Sequence, residues 1–97
     1  MRASVIGIAW YKSDDYETLR RLFADGENLP TTYGEWLKNA KRVVNQLRRD
    51  GQAFEKVYIG PETFPAWCAA RGLDLDANAR TRFSAESVSG KHGNLHG

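Results

Sequence analysis

Only two stretches of this 97-residue chain have the make-up of a β-strand, "VIGIAWY" at residues 5–11 and "FEKVYI" at 54–59. Both are rich in β-branched and aromatic residues, while the segments between and after them repeat their apolar residues at helical spacing. A sheet of two strands is marginal in water by itself. Helices must cover it or a partner must extend it. The sequence is thus held to a small α/β domain, and at this length one core is all it can bury.

Four helices are expected. Asp14 and Glu17 have capping-box spacing, and Tyr16, Leu19, Leu22 and Phe23 then recur on one face, which predicts a first helix over 14–24. "DGENLP" reads as a loop. Thr32 and Glu35 form a second capping box. Behind it Trp36, Leu37, Ala40, Val43, Val44 and Leu47 make one apolar stripe that ends at Gly51, the expected left-handed stop. Thr63 is placed to cap a third helix, with Pro65 in its first turn and Gly72 at its end. Asp76 can cap a fourth through about Ser87, whose apolar face is thin: Ala79, Phe83 and Val88.

The expected architecture is therefore α/β, a small two-stranded sheet covered by about four helices in the order β-α-α-β-α-α, with the second helix as the main cover. The loop between the first two helices permits either strand direction, and the parallel arrangement is the one adopted. Residues 1–88 are expected to form a single compact domain. Residues 89–97, "SGKHGNLHG", are glycine-rich and aperiodic and are expected to be a flexible C-terminal tail.

Charge narrows the functional classes only a little. Fourteen Lys and Arg stand against twelve Asp and Glu, a formal +2, so a nucleic-acid or membrane partner has to be argued from local clustering. Cys68 is the lone cysteine, which excludes an intrachain disulfide and fits a reducing cytoplasm. No leader is expected at the start of the chain, and its longest apolar run falls far short of the roughly 20 residues that cross a bilayer.

The segments "IAWY", "DYETLRRLFADG", "LPTTYGEWL", "FPAWCAARGL" and "ARTRFSAE" together resemble a family of small uncharacterised bacterial proteins, of proteobacterial type, over roughly residues 5–86. The resemblance implies an intracellular bacterial domain. It carries over no activity, cofactor or site residue.

Each candidate site has a structural reading beside the functional one. Trp10 and Tyr11 resemble an aromatic platform, but neighbours in a strand point to opposite faces, so one of them is expected under a helix. Asp14, Asp15 and Glu17 resemble an acid-base cluster, yet negative charge at a helix N-terminus is favoured by the helix dipole alone. Cys68 shares a helical face with Phe64 and has no histidine on its helix to activate it, so a buried structural thiol is expected. His92 and His96 have the spacing of a metal pair, but Gly90, Gly93 and Gly97 argue against the helix that would align them, and no metal site is expected. No motif calls for a cofactor.

Two surfaces remain. The outer face of the second helix carries Lys38, Lys41, Arg42, Arg48 and Arg49, a contact surface for nucleic acid or an acidic partner; no aromatics interleave it in the helix, which speaks against base stacking. If the strands are parallel, Tyr11, Lys12, Ser13 and Thr63 gather where both strands end and two helices begin, the usual place for a small ligand in α/β sheets. The functional expectation is a non-enzymatic cytoplasmic interaction module, pairing with another protein or weakly with itself. The alternative is a nucleic-acid binder using the second helix; third comes a small-molecule-binding protein or enzyme at the strand ends.

Overall fold

The computed structural model describes residues 4–92. The elements are β1 (Val5–Trp10), α1 (Ser13–Leu22), α2 (Tyr33–Arg49), β2 (Ala53–Tyr58), α3 (Thr63–Arg71) and α4 (Ala77–His92), with a short 3-10 turn at Gly26–Asn28 inside the loop after α1. The two strands are parallel, in register from Val5 opposite Ala53 to Trp10 opposite Tyr58. One bond continues the ladder beyond the strands, from the Ile59 N–H to the Trp10 carbonyl at 2.9 Å.

Side chains alternate across a strand, so the sheet has two unlike faces. Gly7 and its partner Glu55 lie on the face that meets α4. There the helix comes so close that a Cβ on Gly7 would lie 2.3 Å from the Ser84 carbonyl oxygen and 2.9 Å from Val88 Cγ2. On the other face Ile8 and Trp10 stand beside Lys56 and Tyr58. The Trp10 ring packs edge-on against Trp36 of α2, with centroids 5.1 Å apart. The order of layers is α4, sheet, α2.

Here the fourth helix departs from expectation. Its apolar stripe is thin, yet it and not α2 makes the closest approach to β1. It does so because Gly7 offers no side chain and Ser84 and Val88 are small enough to follow the backbone in. Hydrophobic patterning underrates a helix that docks by proximity. The helix also runs on to His92, four residues into the expected tail, and residues 93–97 lie outside those described.

Trp10 and Tyr11 correct the alternation argument. Both are buried, at 5% and 3% exposure, and both pack on the same Trp36, Tyr11 at 4.7 Å between centroids. The strand ends at Trp10, so Tyr11 has left the pleat and is free to turn inward. The N-cap of α1 then falls two residues before Asp14, where the capping box placed it. Lys12 holds the N-cap position without a side-chain cap, and Asp14 and Asp15 lie in the first turn, where their charge complements the dipole.

At α3 the helix similarly begins with Thr63 itself, after Glu62, and no side chain caps it. Other signals hold. The Glu35 N–H donates to Thr32 Oγ1 at 3.2 Å, and the Ala79 N–H donates to Asp76 Oδ1 at 2.9 Å. Gly51 and Gly72 adopt φ of 72° and 65°, the left-handed stops of α2 and α3.

The core is one aromatic-rich cluster centred on Trp36, Tyr11, Phe23 and Phe64. Leu22 and Val43, both counted in the apolar stripes, are exposed at 43% and 51%. Two strands present too narrow a surface to cover the full width of either stripe.

Candidate functional site

The most distinctive surface lies between α2 and the exposed face of the sheet. Lys41, Asn45 and Arg48 recur at i, i+4 and i+7, so α2 turns them to one side. That side meets Lys56 of β2 across a groove of about 280 Å³ floored by Trp10, Leu37 and Val44. Lys41, Arg48 and Lys56 are exposed, and among the described residues none of the three forms an ion pair. Ion pairs are found instead within α1, within α4, between α3 and α4, and between α4 and the loop after α1.

The strands supply what the helix lacks. Arg48 lies over the Phe54 ring at 5.8 Å, Lys56 over Trp10 at 4.4 Å, and Lys12 over Tyr58 at 5.7 Å. Cations and rings thus alternate along the rim of β2. No aromatic interleaves the basic residues within α2; the rings near its inner edge lie on the strands. The rings come from residues distant in sequence, so no pattern within α2 can show them. Phe54, Lys56 and Tyr58 share one face of β2 by simple alternation, which is the signal a reader of the sequence could have used.

Of the expected basic residues, Lys41 and Arg48 line the groove. Lys38, Arg42 and Arg49 are exposed but do not line it, and Arg49 instead donates to Gln46 Oε1 at 3.3 Å. The expected contact set is therefore split, and Asn45 and Lys56 belong with its inner half, while Lys12 lies over Tyr58 outside the groove lining.

The crevice at the strand ends is assembled only in part. Parallel strands do bring Lys12 beside Tyr58, but Tyr11 is in the core, where it cannot meet a ligand at the surface. Ser13 lines a different hollow, of about 410 Å³, beside Tyr16 and Thr32. The two arginines of that hollow are engaged: Arg21 pairs with Glu17, and Arg20 Nε donates to the Leu29 carbonyl at 3.4 Å. Thr63 lines neither this hollow nor the groove.

Behind Tyr11 lies a polar cluster that the sequence does not announce. Arg80 of α4 donates from both terminal nitrogens to the two carboxylate oxygens of Asp25, each at 2.8 Å, and lies over the Phe23 ring at 4.3 Å. The Asp25 carboxyl is held below its usual range chiefly by that hydrogen bond. Burial pushes the Tyr11 hydroxyl up to about 12, with the Arg80 charge opposing the shift. The acid, base and phenol satisfy one another beneath α1 and α4. Their role is to fasten the loop after α1 to α4, beside the bond from the Ala24 N–H to the Leu75 carbonyl at 2.8 Å.

Cys68 is fully buried, and burial pushes its thiol up, away from the nucleophilic form. Asp14 and Glu17 are exposed at the start of α1, and Glu17 is taken by Arg21. No group of three or more His, Cys, Asp or Glu that could hold a metal occurs among the described residues, and His96 lies outside them. No helix among the described residues is long and apolar enough to cross a membrane.

No family model matches the chain, and neither the curated proteins nor the solved structures contain a match to it.

Proposed function

We propose that this chain is a non-enzymatic interaction module of the bacterial cytoplasm whose binding surface is the groove between α2 and β2, and whose partner is an anionic macromolecule. The observation that carries the reading is the convergence of Lys41, Arg48 and Lys56 on one groove, none of them in an ion pair among the described residues. Like charges gathered on two different elements repel one another, and an anionic partner removes that repulsion on binding. The apolar floor lowers the local dielectric, which strengthens attraction to a bound anion. Asn45 adds a donor and an acceptor for orientation.

The test is retention on immobilised heparin, a generic polyanion, for the wild-type chain and for Lys41→Gln/Arg48→Gln. Wild type should elute at distinctly higher salt, with far-ultraviolet circular dichroism unchanged between the two. The control is Arg42→Gln/Arg49→Gln, which removes equal charge outside the groove and should move elution much less. Equal shifts for the two double variants would show that net charge, and not the groove, governs binding.

A further inference from the structure

We infer that the anionic partner of this groove is single-stranded nucleic acid, held by its phosphates on the lysines and arginine and by its bases on the exposed rings of β2. The inference rests on the anion-binding reading of the groove and adds the class of partner.

Three observations point past a generic polyanion. The first is the alternation already described: three cations, Arg48, Lys56 and Lys12, each lie over a ring. A strand of nucleic acid is itself an alternation of phosphate and aromatic base, and proteins that hold single strands pair a basic track with ring surfaces. A run of Asp and Glu offers charge but no regular succession of rings, whereas every nucleotide brings one base with each phosphate.

The second is accessibility. Tyr58 is 52% exposed and is the ring with surface free for stacking, while Phe54 is half-buried, packed against the core with Arg48 over it. Trp10 is buried beneath Lys56 and serves as floor. The Tyr58 ring offers a flat apolar surface on which a base can stack.

The third is spacing. Phe54 and Tyr58 are four residues apart on one face of β2, hence about 13 Å apart along the strand, with Lys56 midway. That length is covered by a few nucleotides of extended strand, with Lys56 placed to meet a phosphate between the two rings. A duplex has its bases stacked on each other and cannot present them to these rings, so the arrangement selects unpaired strands.

The experiment is fluorescence anisotropy of the full chain with end-labelled oligonucleotides of mixed sequence: single-stranded RNA, single-stranded DNA and the corresponding duplex. Single strands should bind at least tenfold more tightly than duplex. Tyr58→Ala should weaken single-strand binding about tenfold, in keeping with the loss of one stacked base, and Tyr58→Phe should restore it. Lys41→Gln/Arg48→Gln should weaken binding to every oligonucleotide and flatten the dependence of affinity on salt.

Equal affinity for duplex and single strand, with no effect of Tyr58→Ala, would overturn the stacking inference while leaving the anion-binding groove in place. Binding of heparin or an acidic peptide, but of no oligonucleotide, would overturn it in the same way. If neither heparin nor any oligonucleotide binds at low salt, the groove reading falls as well. Tyr58 is exposed, so its variants should fold, and circular dichroism verifies this before binding is read.

Discussion

The two faces of the sheet are built on opposite terms. On the α4 side Gly7, Ser84 and Val88 bring helix and strand into contact with no room for one added carbon, and the charges nearby, Arg80 and Asp25, are paired and largely removed from water. On the α2 side a groove remains, its cations have no ion-pair partner among the described residues, and Tyr58 is left half in solvent. Both faces are packed, but differently: α4 lies directly on the backbone at Gly7, while α2 meets the sheet through the Trp10–Trp36 contact and leaves a groove beside it.

The largest effect expected from this contrast is at Asp25. Asp25→Ala leaves the Arg80 guanidinium, whose side chain is only 9% exposed, without its bidentate partner. Removing one member of a buried pair costs about 3 kcal/mol. Urea denaturation should show that loss, whereas removing the groove charges Lys41 and Arg48 should leave the midpoint nearly unmoved. Equal losses on both sides would break the comparison.

Next comes alkaline pH. The Tyr11 hydroxyl is raised from 10.0 to about 12, so the folded chain resists losing that proton more than the unfolded chain does. Its contribution is complete below pH 10 and is lost as pH rises from 10 towards 12, approaching about 2.5 kcal/mol. Burial is the main cause, with Asp25 and Tyr16 adding to it and Arg80 opposing it. Tyr11→Phe should remove most of the alkaline drop in denaturation midpoint; an unchanged drop would place the titrating group elsewhere. Asp25 acts in the opposite direction. Its lowered value means that its contribution is present at neutral pH and is lost as pH falls below about 4.

A smaller loss is expected at Gly7. Gly7→Ala drives a methyl into the Ser84 carbonyl, at 2.3 Å, and backbone cannot rotate aside as a side chain can. Overpacking of this kind costs about 2 kcal/mol. Binding to heparin should persist in the folded fraction, because Gly7 faces away from the groove. Loss of stability and of binding together would join the two faces that the structure separates.

Local signals carried much of this fold. Two β-prone runs, the Thr32–Glu35 cap, the Asp76 cap and the stops at Gly51 and Gly72 are each a matter of a few neighbouring residues, and short-range chemistry determines them. The basic character of α2 was equally legible, since exposed charges on one helix can be read from their spacing. Other features depend on residues far apart in the chain. Arg80 meets Asp25 across 55 positions, and Lys56 meets Trp10 and Lys41 only once the strands are parallel and in register. Strand direction was open to the sequence because the loop between α1 and α2 satisfies either choice. Tyr11 and α4 show the same division. Alternation and apolar stripes describe isolated elements correctly, but where a strand stops, and how near a helix can approach a glycine, are settled by the packing of all the elements at once.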